Sequence, residues 1–359
     1  MRTPDLISWR QQSQYLGGNG LGMAAEVVRA LGAVQAQDYK GAKWSLGLRM
    51  DSASDETLEQ AIANHAIVRT WSLRGTLHFL AAEDVGWINN LLAPGIIAGN
   101  QRRYRQLELD ETDFATSRQV LQKVLAGGKT LTRAQIAEAL EAEGLSAQGQ
   151  RAPYLLQRAT FEGLICHGTL DGREPTYVLL SEWIPEREKL SRPEALARLA
   201  QRYFGGYGPS MLQDFAWWSG LTVSDARRGL EAIRSSLVRA QVDGQEFLAG
   251  QAWEPDESFQ GAHLLPPFDA YLLGYKDRSL VLDPGHTKKV NAGGGMPRPT
   301  LLLDGKVAGT WKRKMAKKSI QVTIEPFRAL AQEELDALQQ AAQRYAGFYG
   351  LNAEVEIHS

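Results

Sequence analysis

Residues 153–180 read PYLLQRATFEGLICHGTLDGREPTYVLL. An amphipathic helical stretch ends at Gly163, a natural helix stop, and two short β-prone runs, LICHGTL and PTYVLL, follow on either side of the turn-rich DGRE. The fold is decided by what stands before them. In TLTRAQIAEAL, residues 130–140, Thr132 lies three residues before Gln135, the spacing of a capping box, and Ile136, Ala139 and Leu140 share one helical face. A further helical stretch, Phe114 to Leu125, precedes it. Helix, helix, helix, hairpin is the grammar of a winged helix.

The same grammar appears on both sides. Upstream, Gly22 to Leu31, a stretch near Gly41 to Leu48, and LEQAIANHA supply three helices, and IVRTW and GTLHFL a hairpin around Ser72 to Arg74. Downstream, PEALARLAQRYF, SMLQDFAWWSG and VSDARRGLEAI lead to the strands LVRAQV and QEFLAG, joined at Asp243-Gly244, a strong hairpin signal. After Gly250 the texture changes to strands and turns: AHLLPPFDAYLLGY, RSLVLD, PTLLLDG, KVAGTWKRK and SIQVTIEPF, with a Gly- and Pro-rich linker NAGGGMPRP and a last helix from Glu333 to Tyr345. The expected class is α+β: winged-helix units over 1–110, 111–185 and 186–250, then a mainly-β domain over 251–359 closed by a helix.

At 359 residues, 43% hydrophobic and 23% charged, the composition is that of an ordinary globular protein. No run of about 18 apolar residues occurs, and MRTPDLISWRQQ has neither a secretion signal nor a transit pattern, so no membrane partner and a cytoplasmic location are expected. The single cysteine, Cys166, lies in the apolar run GLICHG and reads as a buried structural thiol. The net charge of −1 conceals an asymmetry: residues 276–318 hold eleven Lys or Arg against three Asp, +8, which leaves −9 for the rest. Charge of that density can neutralise phosphates locally, because screening limits its reach to about 10 Å.

A winged helix offers its third helix to the major groove, yet LEQAIANHA has no Arg or Lys and QRAPYLLQRATFEG only two Arg. Base-edge readout is therefore unsupported, and shape and backbone binding fit better. Positive charge lies instead on GNQRRYRQ, with Arg102 and Arg103, on VSDARRG, and on Lys288, Lys289, Lys312, Arg313 and Lys314 of the C-terminal region.

Four separated motifs in one order, VQAQDYKGAKWSLGLR, VRTWSLRGTLHFLAAEDV, HLLPPFDAYLLGYKDRSLVLD and DGKVAGTWKR, resemble the AlkZ/YcaQ-like winged-helix DNA glycosylases over essentially the whole chain. The resemblance implies three tandem winged helices with a C-terminal β domain, and excision of bulky or crosslinking N-alkylated purines from double-stranded DNA. It implies no metal or organic cofactor. The family's signature, glutamine, an aliphatic residue, then glutamine or aspartate, falls on Gln35, Ala36 and Gln37, the glutamine-glutamine form. No carboxylate occupies the second position; Asp38 is one residue further on.

An N7- or N3-alkylated purine already carries positive charge and leaves readily, so two amides that hold and orient a water suffice without a strong base. Residues two apart share a side only in extended backbone, so Gln35 and Gln37 converge only if the preceding helix has ended by Gln35. By itself a QxQ has no chemical specificity; two surface amides at a helix end would look the same. His263, His78 and Asp38 stand as candidate site-lining groups, with His78 also readable as a satisfied wing histidine. Lys43 and Arg74 stand as phosphate contacts, and Met296 as an apolar tip for DNA insertion. Trp44 and Trp71 read as core. No nucleophilic lysine, Ser-His-Asp order, phosphate loop or zinc spacing is evident, which favours a monofunctional hydrolase over a lyase; a monomer is the default expectation, and the DNA substrate implies nucleoid association. The competing readings are a non-catalytic winged-helix DNA-binding regulator and, more weakly, a protein-interaction scaffold.

Overall fold

The computed structural model describes residues 3–17, 20–252, 261–291, 293 and 296–358. After α1 (Thr3–Ser13) come α2 (Ala24–Leu31), β1 (Val34–Gln35), α3 (Tyr39–Gly47), α4 (Asp55–Ala63), β2 (Ile67–Trp71) and β3 (Leu77–Ala81). A long helix, α5 (Val85–Gln106), leads to α6 (Glu111–Leu125), β4 (Leu131–Thr132), α7 (Arg133–Ala142), α8 (Arg151–Phe161), β5 (Ile165–Asp171), β6 (Glu174–Leu179) and the short α9 (Leu180–Trp183). Then follow α10 (Arg192–Tyr207), α11 (Leu212–Ser219), α12 (Val223–Ile233), β7 (Val238–Val242) and β8 (Gln245–Ala249). The remainder is β9 (Ala262–Leu265), α13 (Ala270–Leu273), α14 (Thr287–Val290), β10 (Thr300–Leu303), β11 (Lys306–Met315), β12 (Ser319–Pro326), α15 (Gln332–Phe348) and β13 (Asn352–Ile357).

The fold is mixed α+β, and one arrangement recurs. The first sheet is ordered β1-β3-β2 and the second β4-β6-β5, each preceded by three helices with the short strand between the first two. In the third copy β7 pairs β8 and the short strand is reduced to a single bridge, Ser210 to Leu248. Local chemistry explains the starts and turns. Thr132 and Gln135 form the anticipated capping box, with the Thr132 N–H donating to Gln135 Oε1 at 2.8 Å. Asp243-Gly244 and Asp304-Gly305 turn with φ of 49° and 76°, and 48° and 76°, the paired positive φ of a two-residue hairpin loop.

The C-terminal sheet is ordered β13-β12-β11-β10-β9, with α15 packed on it. Two readings there are corrected. RSLVLD is not a strand: Val281 and Leu282 are buried side chains on irregular backbone, so their apolar run reports burial and not pairing. Within AHLLPPFDAYLLGY only Ala262–Leu265 is a strand, because Asp269 caps a short helix through the Tyr271 N–H at 2.9 Å. One continuous core joins α2, β1 to β3, α10 to α12 and the C-terminal sheet, whereas α6 to α8 with β5 and β6 enclose a second. Cys166 is buried as expected, and burial pushes its thiol well above the usual range.

Candidate functional site

The stretch Val34–Asp38 passes from β1 to the cap of α3. The preceding helix ends at Leu31, so the condition for convergence is met before Gln35 is reached, and Gln35 lies in a strand. Ala36 is 0% exposed, Gln35 is half-buried and Gln37 exposed. The alternation is held by backbone: the Ala36 N–H donates to the Leu77 carbonyl at 2.7 Å, and the Leu77 N–H donates to Gln37 Oε1 at 3.0 Å. Arg69 closes the other side, its Nε and Nη2 donating to the Ala36 carbonyl at 3.1 and 3.0 Å. Arg74 Nη2 reaches Gln35 Oε1 at 3.5 Å. A carbonyl oxygen has two lone pairs, so each amide, oriented by one protein donor, retains acceptor capacity toward solvent.

Arg69 and Arg74 are both drawn below the ordinary guanidinium range, chiefly by burial. Asp38 accepts the Gly41 N–H at 3.1 Å as the N-cap of α3, and its carboxylate acts electrostatically on Arg69 and Arg313. His78 pairs with Gln35 across the sheet, but its ring is buried, Nδ1 lies 3.0 Å from the Thr76 carbonyl, and burial followed by Arg74 lowers its pKa to about 3. Its ring is therefore neutral at pH 7.

One expectation is corrected. Lys43 does not face phosphate: its side chain is 3% exposed and its Nζ pairs with Asp55 at 2.7 Å and Glu59 at 2.5 Å, because α4 packs across α3. His263 is buried in β9. Its Nδ1 lies 3.5 Å from Arg344, and burial, with Arg344 and Arg49, lowers its pKa to about 3. Met296 is 58% exposed on the connection from α14 to β10. The exposed methionine at a hairpin tip is Met315, 46% exposed, between β11 and β12 and flanked by the exposed Lys314, Lys317 and Lys318.

Of the other basic residues, Lys288 and Lys289 are exposed on α14, and Lys312 is exposed but pairs with Glu325 at 2.5 Å. Strand alternation turns Arg313 to the opposite side, where it donates to the hydroxyls of Tyr345 and, at 3.4 Å, Tyr349. Arg103 lies over the Tyr154 ring at 5.6 Å, with Arg102 exposed beside it on α5. That helix reaches the hairpin of the site: Asn100 donates to Gln157 at 3.1 Å and Gln157 to the Gly75 carbonyl at 3.1 Å. Trp44 is buried, and Trp71 stacks among His167 and Tyr177.

Arg69 was not anticipated, although VRTW on a hairpin strand beside the pair is a usable signal. Trp217 and Arg278, which meet Arg74, gave none, since 143 residues separate Arg74 from Trp217. Among the described residues no group of three His, Cys, Asp or Glu is placed to hold a metal ion, and no helix is long and apolar enough to cross a membrane.

With this geometry in place, comparison with known proteins is direct. Residues 28–348 match the family model described as DNA glycosylase AlkZ-like. The chain is 28% identical to an interstrand DNA cross-link repair glycosylase of Streptomyces sahachiroi, over 97% of this chain and 96% of that one. It is also similar to the solved structure of the Streptomyces sahachiroi DNA glycosylase AlkZ, with a TM-score of 0.84, 24% identity and 100% of both chains covered.

Proposed function

We propose, from the premise that this chain belongs to the AlkZ-like DNA glycosylase family, that it hydrolyses the N-glycosidic bond of bulky or crosslinking N-alkylated purines in duplex DNA. The observation that carries the reading is the extended Gln35-Ala36-Gln37 edge, with Ala36 buried, the Gln35 amide beside Arg74 and the Gln37 amide held by the Leu77 N–H. The cross-link named for the Streptomyces relative supports the lesion class. A crosslinked base cannot be fully extruded from the helix, so an open edge suits it better than a closed pocket.

In this mechanism the bond between the anomeric carbon and the purine nitrogen breaks, and its electron pair neutralises the charge on the alkylated base. A water held by the carbonyl oxygens of Gln35 and Gln37 forms the new C–O bond and releases a proton to solvent. No group on the edge is a strong base, and a cationic leaving group does not need one. Arg69 and Leu77 act as positioning groups by holding the backbone and the Gln37 amide.

The three repeated arrangements are read as winged-helix modules over 1–110, 111–185 and 186–250, followed by the β domain over 251–359. They present DNA with Arg102, Arg103, Lys288, Lys289 and the β11–β12 hairpin, whose exposed Lys314, Lys317 and Lys318 flank Met315 as the apolar tip. Duplex DNA bearing an N7-alkylguanine, incubated with the protein and then heated in alkali, is expected to break at abasic sites. Replacing both Gln35 and Gln37 with Ala is expected to slow this by about 10²–10³-fold, the loss seen when polar groups of this kind are removed. Undiminished cleavage by that double variant overturns the assignment.

A further inference from the structure

Arg74 stands at the turn of the β2–β3 hairpin with φ 55° and ψ 17°, a left-handed conformation that glycine or asparagine adopts at lower cost. The side chain there is therefore retained against a backbone preference. Its guanidinium lies 4.5 Å from the centroid of the Trp217 ring, and Nη1 donates to the Trp217 carbonyl at 3.3 Å. Arg278 lies 5.6 Å from the same ring. Gly220, which ends α11, lets this happen: a Cβ there would stand 3.0 Å from Arg74 Cγ.

Both guanidiniums are partly buried, and among the described residues neither has a carboxylate within 4 Å. By contrast Arg49, Arg158, Arg192, Arg202 and Arg234 each have one. Arg278 Nε is buried without a hydrogen-bond partner. Burial lowers the pKa of both groups, and Arg278 depresses that of Arg74 further. Two cations brought together half-dry with no anion between them are mutually unfavourable, and an indole face offsets only part of that. An anion with several acceptor oxygens would satisfy both, and guanidinium is the side chain best shaped to bind a phosphate.

We infer that Arg74, Trp217 and Arg278 form a clamp for one backbone phosphodiester of the damaged strand, set beside Gln35 so that holding the backbone registers the sugar with the glutamine pair. This rests on the reading that duplex DNA occupies the edge, and it adds a phosphate subsite of three residues outside the glutamine pair. Arg278 and Trp217 act as positioning residues: they hold the strand and touch no reacting atom.

The test uses binding to duplex DNA containing a non-hydrolysable lesion analogue, so it is independent of excision; absence of wild-type excision would defeat the proposed activity and leave this measurement intact. Phosphates flanking the lesion are replaced singly by uncharged methylphosphonates. In the wild type one position is expected to weaken binding about tenfold, a normal charge-assisted contact. In Arg278→Gln, which lies outside helices and strands, the penalty at that position is expected to fall to threefold or less, with those at other positions unchanged. Arg278→Lys, which keeps the charge, should restore part of it. If Arg278→Gln leaves every positional penalty as in the wild type, or alters all of them equally with unchanged thermal unfolding, no clamp exists and the arginines only pack on the indole.

Discussion

Gln37 is oriented by a single backbone N–H, that of Leu77. The rate of excision of a cationic lesion should therefore be flat between about pH 6 and 9, since amides carry no proton to lose and guanidiniums, even with burial, stay charged there. Gln37→Asp is expected to introduce an acid limb into kcat/KM while extending activity to less activated bases; a wild-type profile with a limb near pH 7 would mean that a titrating base has been overlooked. Lys43 makes the opposite point about charge. Lys43→Met takes the buried ammonium from Asp55 and Glu59, which are about a third exposed and of which Glu59 still accepts from Tyr39; it should cost about 1 kcal/mol, with no change in the salt dependence of DNA binding. Urea unfolding and a salt titration read the two effects separately. The glutamine pair was legible because its spacing only needed extended backbone. Lys43 was not, because its partners lie 12 and 16 residues on, in a helix whose crossing no spacing rule reveals.

At the scale of elements, α3 carries the site at its start and the link to the C-terminal sheet at its end. Arg49, fully buried, donates to Asp269 from Nη1 at 3.0 Å and Nη2 at 2.8 Å, and to the Ser45 carbonyl at 2.7 Å, while Ser45 donates to Asp269 at 2.6 Å. The three bonds to Asp269 hold the end of α3 to the segment between β9 and α13. Asp269→Ala strands a buried guanidinium and is expected to destabilise by about 3–5 kcal/mol, seen as a lower urea midpoint. Helix and hairpin signals in the three repeats were legible because caps and Asp-Gly turns are local. What escaped was non-local: α5 with Pro94 inside it, β13 pairing parallel to β12 across α15, and the irregular RSLVLD. Those depend on which surface the chain meets, and an apolar run records burial without saying how its backbone is paired.

Across the whole molecule, three histidines are locked in the core. His78, His167 and His263 are each held near pKa 3, chiefly by burial and next by a neighbouring arginine, Arg74, Arg69 and Arg344 respectively. In the unfolded chain each titrates at about 6.5. Between those values the unfolded state binds protons that the folded state refuses, so the contribution to stability is fully present above about pH 6.5 and is lost progressively as the pH falls toward 3. Each histidine adds up to about 1.4 kcal/mol per pH unit within that window. Asp84 and Asp214, raised by burial, act with the opposite sign and soften the lower part of the decline. The urea midpoint is therefore expected to fall steeply from pH 6.5 to 5. His167→Phe, which keeps an aromatic ring against Trp71 and Tyr177, should remove about one proton from the slope. A slope identical to that of the wild type would mean that His167 takes up its proton in the folded state, and that the core around the second sheet is more open than its packing implies.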